Sequence, residues 1–376
     1  MITTSQVADR VDANRNIQII KRRTPSVNDR VSTIDKNWKE MITTSKIRPV
    51  LSPSCAQLKV EVDPVLSKLK KTDESIFFDG ANGFGDSLFQ RVVIKYLSQY
   101  FKTIYVHTPC PDLFWDIPNL KFVKEGHKWL RTQEKSAKLS RGKISPLPKG
   151  LKRTAYSYCP VRQLKKCSAY IIRTKLNIDV DDFDFTFPLR PIWISKATKL
   201  VNSFDMGGKK LCIIRPPTNR SEWDYPTRNP HPEYYQMLID KYKDEYFYVS
   251  IADIEDNVEW LVGDLKGIDA KFHKGELSLS TIFGLMKISS MMICYPAFFM
   301  LAGIATRSKT FTIWGGCSHP AASLEESMGL WNFSYAAPDP ACNCFLAEHD
   351  CNKEISKDIL FGNFEELKNR KTNGRK

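Results

Sequence analysis

The residues whose types and spacing are best suited to chemistry lie between Ser75 and Tyr96, in SIFFDGANGFGDSLFQRVVIKY. Gly80, Gly83 and Gly85 permit backbone conformations and close approaches that side chains forbid, and Asp86 follows them at the mouth of the turn. The apolar run Ile76 to Phe78 precedes the glycines, and Leu88, Val92, Val93 and Tyr96 recur behind them at helical spacing. This reads as strand, glycine-rich turn and a helix opening near Ser87, whose unpaired N–H groups would face a ligand in the turn. The spacing G-x-x-G-x-G is not the dinucleotide fingerprint, and no acidic residue closes a second strand about 20 residues later, so a nicotinamide cofactor is disfavoured. By themselves the glycines serve equally well as a tight first turn, and Asp86 as an acid that favours a helix N-terminus.

Four other groups of residues invite a chemical reading. Asp182-Phe183-Asp184 has the D-x-D spacing used to hold Mn²⁺ or Mg²⁺, but it sits in an alternating run that reads as an exposed strand edge. Cys342, Cys344, His349 and Cys351 form C-x-C-x₄-H-x-C, four soft ligands in ten positions. That spacing is tight for one tetrahedral ion and matches no standard zinc pattern, so zinc and unligated thiols both stay open. Asp253 and Glu255 fall at a strand end where a ribose hydroxyl could be held, although ordinary loop carboxylates fit as well. His319 follows Trp314-Gly315-Gly316 and could line a cleft.

The elements that must position these residues alternate strand with helix. After the first unit, Thr103 to His107 and Leu120 to Val123 read as strands, 161–176 as helical and Phe183 to Leu189 as an edge strand. A second half starts near Lys209, with strands at Leu211–Ile214, Phe247–Ile251, Ala270–His273, Met291–Cys294 and, last, Thr310–Trp314. Its helices are expected at Glu233–Lys243, Val258–Leu265, Leu279–Met286 and Ala297–Ile304. The expected organisation is a polar, partly disordered arm over 1–70, Rossmann-like domains over 71–205 and 206–340, and a cysteine-containing tail over 341–376. The halves join near 190–208, marked by Gly207 and Gly208. Facing parallel sheets imply a ligand cleft between them.

Composition narrows the partners. The 376 residues, 42% hydrophobic and 11% aromatic, suffice for two cores. With no apolar run of about 18 residues and no hydrophobic leader at the start, a cytoplasmic location is expected, and the ten cysteines read as free thiols. The formal charge is +14, and 121–170 carries fourteen Lys or Arg against Glu125 and Glu134, a net +12. Trp129, Tyr156, Tyr158 and Tyr170 interleave with that charge. Such a segment favours a polyanionic partner over a neutral one, whether as a built surface or as a solvated basic loop.

Together, GFGDSLFQRVVIKYL, the opening IIRPP of the second half and LSLSTIFGLMKISSMMICYPAFFMLAGIATRSKTFTIWGG resemble the ADP-heptose:lipopolysaccharide heptosyltransferase family, glycosyltransferases of the GT-B type. The resemblance spans roughly Ser75 to Gly316 and is most specific in the closing block. It implies an α/β fold of two facing Rossmann-like domains and places the family's proposed base on Asp86. Such a base would take a proton from an acceptor hydroxyl during attack on an anomeric carbon, with inversion. Gly83 and Gly85, with Arg215, Thr218, Asn219 and Arg220 after Ile214 and the helix start after Pro296, would then receive a nucleotide-diphosphate sugar without a metal or any further cofactor. The family usually has an Asp-Ser/Thr-Gly stretch leading to a His where Tyr295, Pro296, Ala297, Phe298 and Met300 stand here, so contacts to the donor sugar must differ.

The reading is an inverting glycosyltransferase whose acceptor is a polyanion, either a phosphorylated surface glycan or a hydroxylated base in DNA. Lys128, Trp129, Arg131, Lys152 and Arg153 are its expected acceptor contacts. The rival reading is a non-catalytic nucleic-acid-binding protein on a degenerate transferase scaffold, motivated by the basic segment and the missing Asp and His.

Overall fold

Strand β1 (Ser75–Asp79) buries Ile76, Phe77 and Phe78, and its glycine turn feeds helix α1 (Phe84–Leu97). These residues belong to a computed structural model that describes 69–80, 83–124, 129–139, 144–155, 166–222 and 224–371, all within the unit Lys59–Lys376. Most of the expected arm over 1–70, to residue 68, lies outside the described residues, as do 161–165 of the expected helix. Strands β2 (Thr103–His107), β3 (Leu120–Val123) and β4 (Lys152–Ala155) complete a parallel sheet in the order β3-β2-β1-β4.

The second sheet starts centrally with β5 (Lys210–Ile214) and winds outward through β7 (Tyr246–Ile251) to β9 (Ala270–Phe272). It then returns to the other side of β5 with β10 (Met291–Cys294), β11 (Thr310–Ile313) and β12 (Phe333–Ala336). The order is β12-β11-β10-β5-β7-β9, parallel throughout. Winding reverses between β5 and β10, and open parallel sheets bind ligands at the carboxyl ends of strands flanking such a reversal. A small antiparallel pair, β6 (Thr218–Arg220) with β8 (Glu259–Leu261), stands beside that crevice. The α/β class with two parallel sheets is the one expected.

Helices α2 (Arg131–Leu139), α3 (Ser168–Leu176), α4 (Pro191–Val201), α5 (Glu233–Tyr242), α6 (Leu279–Ile288), α7 (Phe298–Thr306) and α8 (Lys357–Asn369) flank the sheets. Several local expectations are corrected. Helix α1 opens at Phe84, so Asp86 lies within its first turn. The segment Phe183 to Leu189 forms no strand and pairs with none among the described residues; Phe187 N–H donates instead to the carbonyl of Ala305 at 2.8 Å, near the end of α7. Its period of two reflects three buried phenylalanines facing helices. The expected helix Val258–Leu265 is β8 and a turn, because Glu259 points inward, Trp260 outward, and Gly263 adopts a positive φ of 80°. The join over 190–208 contains α4 before the left-handed Gly207 and Gly208. Strand β12 follows the strand expected to be last, and the tail carries α8, with Leu360, Phe364 and Leu367 buried against Tyr242 and Phe311.

One apolar cluster runs unbroken from the first sheet to the second. Phe89 meets Phe185 with ring centroids 5.1 Å apart, Phe187 meets Phe283 at 4.6 Å, Phe283 meets Phe298 at 5.8 Å and Phe298 meets Phe84 at 5.5 Å. This seam fixes the N-terminus of α1 beside that of α7. Phe187→Ala is expected to cost about 3–5 kcal/mol of stability by opening a cavity in it. Ile192→Ala, at a side chain 51% exposed, should stay within about 0.5 kcal/mol in the same denaturant titration.

Candidate active site

Arg215 directly follows β5 and Tyr295 directly follows β10, so neighbouring strand ends deliver both to the crevice where winding reverses. The backbone N–H of Arg215 donates to Ile293 at 2.9 Å, and its buried guanidinium donates to the Ile251 carbonyl at 3.2 Å, Thr218 Oγ1 at 3.1 Å and Glu259 Oε1 at 2.9 Å. The β6–β8 register sets Arg220 opposite Glu259, and their side chains pair at 3.1 Å. Arg131, on α2, reaches the same carboxylate at 3.7 Å and also engages Asp253 at 3.0 Å and Glu255 at 3.1 Å. Glu259 itself is 1% exposed. Arg228 lies over the Tyr295 ring at 5.7 Å, and its buried Nε has no hydrogen-bond partner among the described residues. Cationic groups thus outnumber the anions that Arg215, Arg220 and Arg228 can reach, which prepares the crevice for an anionic ligand.

Tyr295 responds to this environment. Burial acts to raise its phenol, but the Arg215 and Arg228 guanidiniums and the Thr218 hydrogen bond outweigh it and bring the group below its ordinary value. Burial likewise opposes the charge on Arg215, and Tyr295 and Glu259 more than offset it.

A cavity of about 500 Å³ opens here, lined from the first half by Gly83, Phe84, Gly85 and Asp86 and from the second by Arg215, Arg220, Arg228 and Tyr295 to Leu301. Neither α1 nor α7 carries a side-chain N-cap, and the first residues of both line the cavity. Their leading N–H groups therefore add to its affinity for anions. Gly83 has an ordinary φ of −67°, and a Cβ there would lie 2.5 Å from Asp86 Oδ2, so a side chain at this position would displace that carboxylate. At Gly85 a Cβ would lie 3.2 Å from Leu301 Cδ1, so the glycine lets α1 close on α7.

The cavity collects Gly83, Gly85, Asp86, Arg215, Arg220, Tyr295, Pro296, Ala297 and Phe298 from the residues expected by sequence. Thr218 stands just behind, bonded to Arg215, Glu259 and Tyr295, whereas Asn219 Oδ1 accepts from Asn229 at 2.6 Å outside the lining. The expected acceptor contacts among the described residues lie outside the cavity lining. Trp129 is 4% exposed and donates its indole N–H to His107 at 3.2 Å, Arg131 is held by three carboxylates, and Arg153 pairs with Asp79 at 2.9 Å. Lys152 is exposed on β4, and Lys128 lies outside the described residues. None of the four described residues lines the cavity.

Asp184 pairs with Lys95 and accepts from the Thr186 N–H. Asp253 does line the cavity, paired with Arg131 and Lys135, and His319 instead caps a short turn by accepting from the Ala321 N–H at 3.0 Å. Glu259, Arg228 and Tyr225 were not singled out by sequence: Glu259 sat in an expected helix, and the other two in the polar loop after Ile214. The ligating atoms of Cys342, Cys344, His349 and Cys351 lie within 4.8 Å of one another.

Two parallel α/β sheets with a ligand crevice between them are the GT-B architecture of glycosyltransferases. The chain is similar to a family 9 glycosyl transferase from Veillonella parvula DSM 2008, at 12% identity over 80% of this chain and 99% of that one, with a TM-score of 0.54. It is similar also to TibC, an iron-containing dodecameric glycosyltransferase from enterotoxigenic E. coli H10407, at 13% identity, 80% and 77% coverage and a TM-score of 0.53. E. coli ADP-heptose lps heptosyltransferase II follows at 12% identity, 78% and 98% coverage and a TM-score of 0.50. No family model and no curated protein sequence matches the chain.

The lowered Tyr295 phenol is directly measurable, because the other tyrosines with a resolved shift, among them Tyr235, Tyr242, Tyr246 and Tyr248, are all raised by burial. In an absorbance titration, subtracting Tyr295→Phe from the wild type should leave one tyrosinate forming below the ordinary value of 10.0. The associated stability is full above that value and is lost as pH falls through the depressed one. A difference signal that develops only above it would refute the arginine cluster's effect.

Proposed function

We propose that the chain is an inverting glycosyltransferase that moves a sugar from a nucleotide-diphosphate donor to a hydroxyl of a polyanionic acceptor. The observation carrying this reading is that Asp86, from the first half, and the Arg215–Arg220–Arg228 cluster, from the second, line one cavity. The diphosphate would lie against the guanidiniums and the N-terminus of α7, and the reacting carbon would face α1. A related structure, similar at 13% identity and a TM-score of 0.50, holds ADP-D-beta-D-heptose, which agrees with a nucleotide-sugar donor here.

In the proposed step the Asp86 carboxylate accepts the proton of the acceptor hydroxyl as that oxygen bonds to the anomeric carbon. The bond from that carbon to the β-phosphate oxygen breaks, and its electron pair leaves with the nucleoside diphosphate. Arg215, Arg220 and Arg228 neutralise the charge that develops, so the step calls on no metal or further cofactor. Trp129, Arg131 and Arg153 lie outside the cavity lining, so the acceptor would be met by lining groups of the first half, such as Thr132, Gln133 and Ser136.

Asp86→Ala should lower transfer by about 10²–10⁴-fold while leaving nucleoside diphosphate affinity near that of the wild type. The assay pairs nucleotide sugars with phosphorylated glycan and with DNA containing hydroxymethylated bases. Undiminished transfer would refute Asp86 as the base. No turnover with any pair, together with strongly salt-dependent DNA binding by the wild type, would favour the non-catalytic reading.

A further inference from the structure

Away from the cavity's reacting side, the segment 341–351 runs without helix or strand and draws four soft ligands together. Cys344 Sγ and Cys351 Sγ are 3.6 Å apart, and His349 Nδ1 lies 3.6 Å from Cys342 Sγ and 3.2 Å from Cys351 Sγ. A tetrahedral ion with metal–sulfur bonds of about 2.3 Å and metal–nitrogen bonds of about 2.0 Å requires ligand–ligand edges of roughly 3.5–3.8 Å; two of these separations match, and the other edges, none above 4.8 Å, would adjust as the ion binds. We propose that Cys342, Cys344, His349 and Cys351 form a tetrahedral structural site for one thiophilic divalent ion of the zinc type.

The surroundings fit that role. The Leu346 N–H points to Cys344 Sγ at 3.4 Å, the kind of outer donor that steadies a ligating thiolate. Gly316 has to be glycine for this loop to seat, because a Cβ there would lie 2.0 Å from the Cys351 Cβ. The anchored loop in turn supports the cavity wall. Phe345 N–H donates to the Cys317 carbonyl at 2.8 Å, Tyr225 OH to the Phe345 carbonyl at 2.5 Å and Thr227 Oγ1 to the Leu346 carbonyl at 2.6 Å. Phe345, Tyr225 and Cys317 all line the cavity. The three thiolates and the imidazole fill a tetrahedral shell, so the ion has no open position for substrate and acts by holding the loop. The site does not depend on what the cavity transfers.

The test uses the full chain purified under reducing conditions without chelator, with Zn²⁺ in the growth medium. Elemental analysis should find one zinc per chain, and exchange for Co²⁺ should give the charge-transfer and visible bands of tetrahedral thiolate coordination. Cys342→Ser with Cys351→Ser should lose that equivalent. If the variant does not fold, titrating wild-type thiols with a mercurial should release one zinc as the cluster is modified. A metal-free wild type that takes up no Zn²⁺, a zinc equivalent that survives in the folded double variant, or a Cys344–Cys351 disulfide in protein prepared without oxygen would each overturn the proposal.

Discussion

A single buried carboxylate, Glu259, holds the binding side of the cavity together. An ionised carboxylate removed from water costs several kcal/mol unless cations and donors surround it, and removing a partner from such a pair typically costs about 3–5 kcal/mol. Here Arg215 and Arg220 bind it at 2.9 and 3.1 Å, and Thr218 donates to it at 3.0 Å. The guanidiniums are thereby fixed in place before any ligand arrives, and their combined charge still exceeds that of the carboxylate. Arg131 extends the same network from α2 to Asp253, Glu255 and Glu259, which ties the helix between β3 and β4 to the loop after β7 and to β8.

That electrostatic tie is reinforced by apolar packing. The ring sequence from Phe89 through Phe185, Phe187 and Phe283 to Phe298 and Phe84 leaves α1 and α7 little freedom to slide. Asp86 in the first turn of α1 and Tyr295 just before α7 are consequently held in the lining of one cavity. The close approach of Gly85 to Leu301 and Phe298 of α7 accounts for a glycine at that position, while Gly83, with no left-handed backbone, leaves room for the Asp86 carboxylate.

Much of this was legible in the residues. The β1–glycine turn–α1 unit, the strands β5, β7, β10 and β11 and the small-residue helix α7 follow from local periodicity, and Asp86, Arg215, Arg220 and Tyr295 lie in or beside those units. What escaped was set by distant partners. Phe183 to Leu189 alternates like a strand, but its neighbours are helices, and Val258 to Leu265 has helical apolar content, but its Glu259 is claimed by arginines 39 and 44 positions earlier. Trp129, Arg131 and Arg153 look like an open basic surface in sequence; His107, the acidic loop and Asp79 engage them in the fold. Local spacing cannot reveal such partners, since each depends on which strands become neighbours.

The most direct measurement is the thermal stability of the full chain against free nucleoside diphosphates and nucleotide sugars, since a ligand bound only by the folded state raises stability by mass action. One nucleoside diphosphate should raise the midpoint in a concentration-dependent, salt-weakened manner, and Arg228→Ala should diminish the shift. No shift with any nucleoside diphosphate or nucleotide sugar at millimolar concentration would contradict a donor site in the crevice between β5 and β10.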